Sequence, residues 1–366
     1  MAKLKILIVD DSMVMRRLLT DALAADADLD VVTAAGGRAA LDKLDTVKPD
    51  LVTLDVEMPD LDGLATLRLL REKRPKLPVI MFSSTTVRGA MATLDALAAG
   101  ANDYVAKPAK SAGVDETIAK VRQELVPKIK ALCGRAKFLR TPAAVPTVVG
   151  PPLTPASVMA TLLAPPSPNA AAGVVAIGVS TGGPNALCTM MPDLPADLAV
   201  PVVIVQHMPP VFTKLLADRL AALCKISVAE AVNGQVLRPG LALIAPGGQH
   251  MLVERRGTDV VVRLNEEPPE NSCRPAVDPL FRSVAACYGA SALGVVMTGM
   301  GSDGQKGCEA VRAAGGAVVV QDEATSVVWG MPGAVARAGL AHAQVPLNGI
   351  AAEITKRTSI GRRRVA

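Results

Sequence analysis

Residues 4–11 read Leu4-Lys-Ile-Leu-Ile-Val9-Asp10-Asp11, an apolar run that ends in two adjacent carboxylates. The next stretch, from Val14 to Leu23, places its apolar residues on one face of a helix. The same alternation of a short apolar run and a helical pattern occurs five times in the first 130 residues. Repeated β-α alternation predicts a parallel sheet covered by helices on both sides. The later apolar runs are 31–35, 51–54, 79–82 and 104–106.

The composition narrows the class of protein. The chain has 366 residues, enough for two domains, and half of them are hydrophobic although aromatic residues make up only 2%. Its cores must therefore be aliphatic, which suits buried parallel strands. No apolar run approaches the ~20 residues of a membrane span, and the chain starts without a signal-peptide pattern, so we expect a cytoplasmic protein. The six cysteines lack C-x-x-C spacing and indicate reduced thiols.

A proline-rich segment divides the chain. Residues 141–172 hold eight prolines and no acidic residue, which predicts an extended linker. We expect the preceding helix to be kinked or interrupted at Pro127. The predicted organisation is a first domain at 1–127, a linker at 128–172, a second domain at 173–360 and a basic tail at 361–366. The chain has a net charge of +5, and the linker and the tail are both basic. These two segments could contact acidic partners, but solvated, flexible segments are the favoured interpretation.

The β-α pattern resumes in the second domain. Strands are predicted at 174–179, 200–205, 241–245, 293–298 and 317–321, with helices after most of them. A hairpin is predicted between 250–255 and 258–264, turning at Gly257. We therefore expect α/β architecture throughout, with two doubly wound parallel-sheet domains joined by the linker.

Five polar residues follow the strands of the first domain. Asp10 and Asp11 close the first strand, Asp55 the third, Ser83 the fourth, and Lys107 follows the fifth. All five should meet at the carboxyl edge of the sheet. Crowded carboxylates favour a divalent cation such as Mg²⁺, and Asp55 could then accept a phosphoryl group held by donors from Ser83 and Lys107. Asp11-Ser12 by itself would be read as a helix N-cap.

Together, these positions resemble the response-regulator receiver domain over the whole first domain. The resemblance implies a flavodoxin-like fold and Mg²⁺ bound by Asp10, Asp11 and Asp55. It also implies phosphorylation of Asp55, with a histidine kinase as phosphodonor. Tyr104 stands where that family carries an aromatic switch.

Three strand ends of the second domain also carry polar residues. Ser180 lies in Gly178-Val-Ser-Thr-Gly182, where small residues permit a tight strand-to-helix turn. His207, after the next strand, is placed as a general base. Asp303, in Gly299-Met-Gly-Ser-Asp-Gly304, could orient the imidazole or merely cap a helix. Each residue alone is a weak signal, but the three together predict a serine hydrolase.

Other interpretations compete with this one. One alternative is a dinucleotide-binding pattern, formed by Gly299, Gly301 and Gly304 with Asp322 after the following strand. This interpretation would leave Ser180 and His207 unexplained. A hydrolase with chain order Ser, Asp, His would use His342 as its base instead. A phosphorylation-gated binding module with an inert second domain would lack a nucleophile, whereas this chain has Ser180. A transcription factor would need a short basic helical reader, so we expect no nucleic-acid partner.

The motifs around Ser180, His207 and Asp303 resemble the protein-glutamate methylesterases of bacterial chemotaxis, the CheB family, over both domains and the linker. The segments 275–281, 321–323 and 330–332 add to the similarity, whereas Ala276 departs from a usually polar position and His342 has no counterpart. The resemblance implies Ser180 as nucleophile, His207 as base and Asp303 as its partner. Backbone N–H groups of Met300 and Thr181 would form the oxyanion hole.

The same resemblance implies the activity and the partners. The second domain would hydrolyse γ-glutamyl methyl esters of chemoreceptors and deamidate receptor glutamines, without a cofactor of its own. Methyl-accepting chemoreceptors would be the substrate, and the chain would reach the membrane only through them. A receiver-gated esterase acting on other substrates remains an alternative.

Overall fold

The computed structural model describes residues 3–108, 113–134 and 171–359. The first domain is a five-stranded parallel sheet of order β2-β1-β3-β4-β5. This is the flavodoxin-like order expected from the sequence. The strands are β1 (Leu4–Val9), β2 (Leu29–Ala34), β3 (Leu51–Asp55), β4 (Val79–Ser83) and β5 (Asp103–Ala106).

Five helices cover the two faces of this sheet. Helices α1 and α5 pack on one face through Leu19, Val121 and Ile129, and the other three pack on the opposite face. Both faces of the sheet are therefore buried, as the continuous apolar runs predict. The helices are α1 (Met13–Ala24), α2 (Gly37–Val47), α3 (Gly63–Lys73), α4 (Val87–Ala98) and α5 (Val114–Leu132).

Helix α5 continues through Pro127 and past residue 127, the expected end of the domain, so the predicted interruption is wrong. Proline removes one backbone hydrogen bond, but Leu125 and Ile129 on either side are fully buried in the core. Their packing holds the helix together, and Leu132 and Cys133 still contact the first domain. Most of the predicted linker, and the basic tail at 361–366, lie outside the described residues.

The second domain contains a seven-stranded parallel sheet of order β14-β13-β12-β6-β7-β9-β8. The hairpin is present and packs beside the sheet against the helix after it. The strands of the sheet are β6 (Val174–Val179), β7 (Val202–Gln206), β8 (Ser227–Glu230), β9 (Leu241–Ile244), β12 (Ala292–Val296), β13 (Ala317–Gln321) and β14 (Ala343–Val345), and those of the hairpin are β10 (His250–Arg256) and β11 (Asp259–Asn265).

Six helices accompany these strands, and no helix within the described residues is long and apolar enough to cross a membrane. They are α6 (Gly183–Met190), α7 (Phe212–Leu223), α8 (Val277–Tyr288), α9 (Gln305–Ala313), α10 (Met331–Arg337) and α11 (Ile350–Ser359). Both domains thus have the doubly wound parallel architecture predicted from the sequence.

Strands β8 and β14 do not follow from the sequence pattern. They are the two edge strands of the sheet and are only three or four residues long. Edge strands are partly exposed, so Ser227-Val-Ala-Glu230 and Ala343-Gln-Val345 lack the apolar run that marks a central strand.

The order of strands reverses at the centre of the second sheet. From β6, the chain adds β7, β9 and β8 on one side and β12, β13 and β14 on the other. In open parallel sheets the crevice beside such a reversal, at the carboxyl ends of the strands, is where ligands bind. Ser180 and Asp303 follow β6 and β12, the two strands that flank the reversal.

Candidate active site and phosphoacceptor site

The three carboxylates predicted at the edge of the first sheet lie together. Oxygens of Asp10, Asp11 and Asp55 are all within 4.8 Å of one another, with Asp10 and Asp55 buried and Asp11 exposed. Oδ2 of Asp10 and Oδ2 of Asp55 are buried without a hydrogen-bond partner within the described residues. Buried carboxylate oxygens that accept no hydrogen bond, beside an exposed carboxylate, suit a hard divalent cation, so these residues fit Mg²⁺.

Lys107 completes this cluster. Its Nζ lies 2.7 Å from Oδ1 of Asp55 and 3.5 Å from Oδ2 of Asp10. Burial, together with the charge of Asp10, raises the pKa of Asp55 to about 6 although Lys107 opposes the shift. A cation at this site would favour the ionised carboxylate, which is the nucleophilic form.

Ser83 and Tyr104 lie near the same edge, and their side chains contact other groups. The buried Ser83 hydroxyl donates to the carbonyl of Gly89 on α4, at 3.1 Å. The buried Tyr104 ring stacks on Phe212 of the second domain, with ring centroids 4.8 Å apart. The aromatic residue of β5 is therefore part of the contact between domains.

In the second domain, Ser180 follows β6 in a turn that depends on glycine. Gly182 has a φ of 77°, which favours glycine. A Cβ on Gly183 would lie 2.0 Å from Oε1 of Gln206. Gln206 uses its Nε2 to donate to the carbonyls of Ser180 and His207, at 3.1 and 3.2 Å. One buried amide thus ties together the backbones of the proposed nucleophile and base.

His207 and Asp303 form a pair, as predicted. Nε2 of His207 lies 2.8 Å from Oδ2 of Asp303, and three backbone N–H groups also donate to this carboxylate. Burial acts to raise the pKa of Asp303, but the contact with His207 and these donors lower it, so the carboxylate stays ionised. Burial acts to lower the pKa of His207, but the hydrogen bond to the ionised Asp303 outweighs it and raises the pKa. The three N–H donors belong to Val277, Asp278 and Gly304.

Sequence reasoning missed two further residues of this cluster. The Nδ2 of Asn271 donates to Asp303 at 2.8 Å and to Asp278 at 2.9 Å. Oδ1 of Asp278 accepts from the backbone N–H groups of Gly304 and Gly307. Asn271 has a φ of 53°, a left-handed conformation that asparagine tolerates. The family similarity of segment 275–281 is the one signal in the sequence that includes Asp278.

The hydrogen bonds of Asp278 contradict the dinucleotide interpretation. A bound pyrophosphate would need the free N–H groups at the start of α9, and the buried Asp278 carboxylate takes those of Gly304 and Gly307. The carboxylate of Asp322, which would have to contact a ribose, accepts from Thr325 in a local turn.

His342 lies apart from this cluster. Its Nδ1 accepts from the backbone N–H of Val318 near the start of β13, at the edge opposite the carboxyl ends. Burial and the charges of Arg312 and Arg357 lower the pKa of His342 to about 4. The alternative base predicted by the chain order Ser, Asp, His is therefore not placed beside Asp303.

Two backbone N–H groups close to Ser180 in the fold have no hydrogen-bond partner within the described residues. In the part of the chain that the structure describes, the backbone N–H groups of Thr181 and Met300 make no hydrogen bond. Both residues lie beside Ser180. Thr181 follows it in the chain, and Met300 follows Gly299, on which an added Cβ would lie only 2.9 Å from the Cβ of Ser180. The arrangement can accept a substrate carbonyl oxygen beside a serine hydroxyl.

Comparison with known proteins agrees with this architecture. The family model for the CheB methylesterase matches residues 175–354, and that for the response regulator receiver domain matches residues 6–119. A protein of Trichodesmium erythraeum named protein-glutamate methylesterase/protein-glutamine glutaminase is 50% identical over 98% of this chain and 99% of its own length. This chain belongs to the CheB methylesterase family.

Two more relatives support the assignment. A protein of Nocardioides sp. with the same name as the Trichodesmium protein is 49% identical over 98% of this chain and 96% of its own. The crystal structure of the Thermotoga maritima CheB methylesterase catalytic domain is 39% identical with a TM-score of 0.50. The matched region covers 50% of this chain and 98% of the Thermotoga chain.

In this CheB family member the receiver domain contacts the catalytic domain beside Ser180. The Thr181 hydroxyl donates to Oδ2 of Asp103 at 2.8 Å, and Lys128 contacts the same carboxylate at 2.8 Å. Asn185 of α6 donates to the carbonyl of Leu97 at 2.7 Å. A more exposed ion pair joins Arg219 of α7 to Asp95 of α4 at 2.8 Å. We call the three contacts that cross between the domains (Thr181–Asp103, Asn185–Leu97 and Arg219–Asp95), together with the Tyr104–Phe212 ring pair, the interdomain latch.

Proposed function

We propose that this chain is a phosphorylation-activated serine hydrolase that demethylates γ-glutamyl methyl esters of chemoreceptors and deamidates receptor glutamines. The observation that carries the proposal is the His207–Asp303 pair at the carboxyl edge of the sheet. It lies next to the Ser180 turn and two unpaired backbone N–H groups. The names of the relatives at about half identity support the ester and amide substrates.

In the proposed mechanism, Ser180 Oγ attacks the side-chain carbonyl of the glutamyl ester. His207 takes the serine proton and then delivers it to the departing methoxide, while Asp303 stabilises the imidazolium. The N–H groups of Met300 and Thr181 stabilise the oxyanion, and losing one such donor would cost ~3 kcal/mol. Water then hydrolyses the acyl-enzyme and leaves glutamate and methanol. A glutamine side chain reacts in the same way and releases ammonia.

In the receiver, Asp55 is the proposed phosphoacceptor, and a histidine kinase is the proposed phosphodonor. Asp10, Asp11 and Asp55 would hold Mg²⁺, which when bound offsets the negative charge of the phosphoryl oxygens. Lys107 already contacts Asp55 at 2.7 Å and would hold one of those oxygens. The Ser83 hydroxyl would turn from the Gly89 carbonyl to hold another.

The interdomain latch supports a restraining role for the receiver. Asp103 accepts from Thr181, the residue next to the proposed nucleophile, and Asp103 itself precedes Tyr104 on β5. A phosphoryl group on Asp55 would draw Lys107 and Ser83 inward at the end of the neighbouring strands and shift Tyr104. Loss of the ring pair and of the Thr181–Asp103 contact would then open the crevice to a receptor helix.

The partners follow from this chemistry. Methyl-accepting chemoreceptors would be the substrate, and contact with the membrane would occur only through them. We place the protein in the cytoplasm, where the methylated receptor segments and the kinase would meet it. A receiver-gated esterase with another ester as its substrate is the second candidate, because the site shows the reaction type more directly than the substrate.

The proposal is tested with receptor membranes carrying labelled methyl esters. We expect methanol release by the full chain to increase when a small-molecule phosphodonor and Mg²⁺ are added, and to vanish in Ser180→Ala. Release of methanol from simple esters but not from receptor membranes would favour the second candidate. No release from either substrate by a folded protein would refute the hydrolase.

A further inference from the structure

Cys273 lies against the imidazole of His207. Its Sγ is 3.5 Å from Nδ1 of His207, on the side of the ring opposite the bond between Nε2 and Asp303. The loop that carries Cys273 is closed on itself, because Glu270 and Cys273 exchange backbone hydrogen bonds of 3.1 and 2.9 Å. The thiol is half-buried, so it is held in place and still reachable from solvent.

The bond to Asp303 decides which imidazole nitrogen carries the proton. An ionised carboxylate can only accept, so the Nε2–H donates to Asp303, and in the unprotonated ring Nδ1 is the acceptor. In that unprotonated ring, the thiol is the group that can donate across the 3.5 Å contact between Cys273 Sγ and Nδ1. Ser180 must give its proton to an unprotonated ring nitrogen, and Nδ1 is the one that remains.

The Ser180 hydroxyl and the Cys273 thiol therefore both need Nδ1 of His207 as their acceptor. Among residues 3–108, 113–134 and 171–359, the Ser180 hydroxyl makes no hydrogen bond, whereas Nδ1 of His207 is already engaged by Cys273. We propose that Cys273 is a positioning residue that competes with Ser180 for Nδ1 of His207, so that the thiol must yield before the serine is activated. This inference rests on the proposed function and adds a residue that limits its rate.

The same pairing makes Cys273 reactive. An adjacent imidazole can act as a general base that takes up the thiol proton while the sulfur attacks an electrophile. With iodoacetamide as the electrophile, the sulfur forms a bond to the methylene carbon, iodide leaves, and the thiol proton passes to Nδ1. Burial raises the pKa of four other thiols and protects them. They belong to Cys188, Cys224, Cys287 and Cys308.

The first experiment measures this pairing without hydrolysis. The full chain is treated with iodoacetamide and the alkylation rate of each cysteine is followed by peptide mass spectrometry. We expect Cys273 to be alkylated at least tenfold faster than Cys308, and His207→Gln to slow Cys273 alone by a similar factor. Ser180→Ala should leave Cys273 at least as reactive as in the wild type. An equal rate for Cys273 in His207→Gln would overturn the proposal.

The second experiment measures the effect on the reaction. The titratable groups around His207 are Asp303 and Cys273, with Asp278 and Glu270 beyond Asp303. A thiol that donates to Nδ1 stabilises the unprotonated imidazole, so Cys273→Ala should move the acid limb of the kcat profile to higher pH. At a pH above that limb, where His207 is unprotonated in both proteins, kcat should rise about two- to tenfold with an unchanged KM. Cys273→Ser, whose hydroxyl can still donate to Nδ1, should lie closer to the wild type.

The outcomes distinguish a failure of the Cys273 competition from a failure of the proposed hydrolase function. A lower kcat in both cysteine variants, with the acid limb unmoved, would show a merely structural role for Cys273 and refute the competition. Circular dichroism checks that each variant is folded. If Ser180→Ala still hydrolysed receptor esters, the proposed function would fail, but the alkylation rates would still report whether Cys273 and His207 are paired.

Discussion

Replacing Asn185 with alanine should raise the hydrolysis rate of the full chain about two- to tenfold when no phosphodonor is present. Its Nδ2 donates to the carbonyl of Leu97 across the domain contact, at 2.7 Å. A neutral hydrogen bond of this kind contributes about 0.5–1.5 kcal/mol. Because a 1.4 kcal/mol change shifts an equilibrium about tenfold, losing this bond should raise the undocked fraction by that two- to tenfold range.

The assay is the initial rate of methanol release from receptor membranes, with and without phosphodonor. Asp95→Ala is a matched control on the same interface, since it breaks the more exposed ion pair with Arg219. Exposed pairs contribute only about 0–1 kcal/mol and weaken with salt. Asp95→Ala should therefore activate less than Asn185→Ala, and its effect should fade at high ionic strength.

A fragment of residues 173–366 gives the second control. It lacks the receiver, so it should hydrolyse receptor esters faster than the unphosphorylated full chain, and Asn185→Ala should leave its rate unchanged. An equal gain from the substitution in the fragment would mean that Asn185 acts on the active site itself. A fragment no faster than the full chain would refute restraint by the receiver, and phosphorylation would then act by recruitment or direct activation.

Four further predictions concern the two sites. Ser180→Ala should be folded and lose several orders of magnitude in rate, and more than a tenth of wild-type activity would contradict its role. His207→Gln should be inactive whereas His342→Gln keeps its activity, since only His207 contacts Asp303; the reverse result would move the base to the other histidine. Asp55→Asn should be folded, with a rate that phosphodonor does not change, as followed by phosphate incorporation and methanol release. Asn271→Ala removes a donor to a buried charge, a bond of about 1.5–3 kcal/mol, so kcat should fall about ten- to a hundredfold; a fall below twofold would exclude a role in holding Asp303.

The sequence alone determined the architecture and most of the chemistry at the strand ends. The apolar runs and helical spacing are local properties of the chain, and they predicted β1, β6 and β13 with the bounds observed. Because parallel strands present their carboxyl ends at one edge, the position of a residue directly after a strand is enough to group it with residues that follow other strands. Asp10, Asp55 and Lys107 meet in this way, and so do His207 and Asp303.

Only the tertiary structure decided what depends on packing between distant segments. Edge strands β8 and β14 form by pairing with a neighbour, and α5 passes Pro127 because its flanks are buried. Asn271 and Cys273 lie on a loop without periodicity, so nothing in their spacing pointed to Asp303 or His207. The interdomain latch joins Thr181 to Asp103, 78 residues apart. Such contacts depend on how two separately folded surfaces fit together, which no local pattern of residues records.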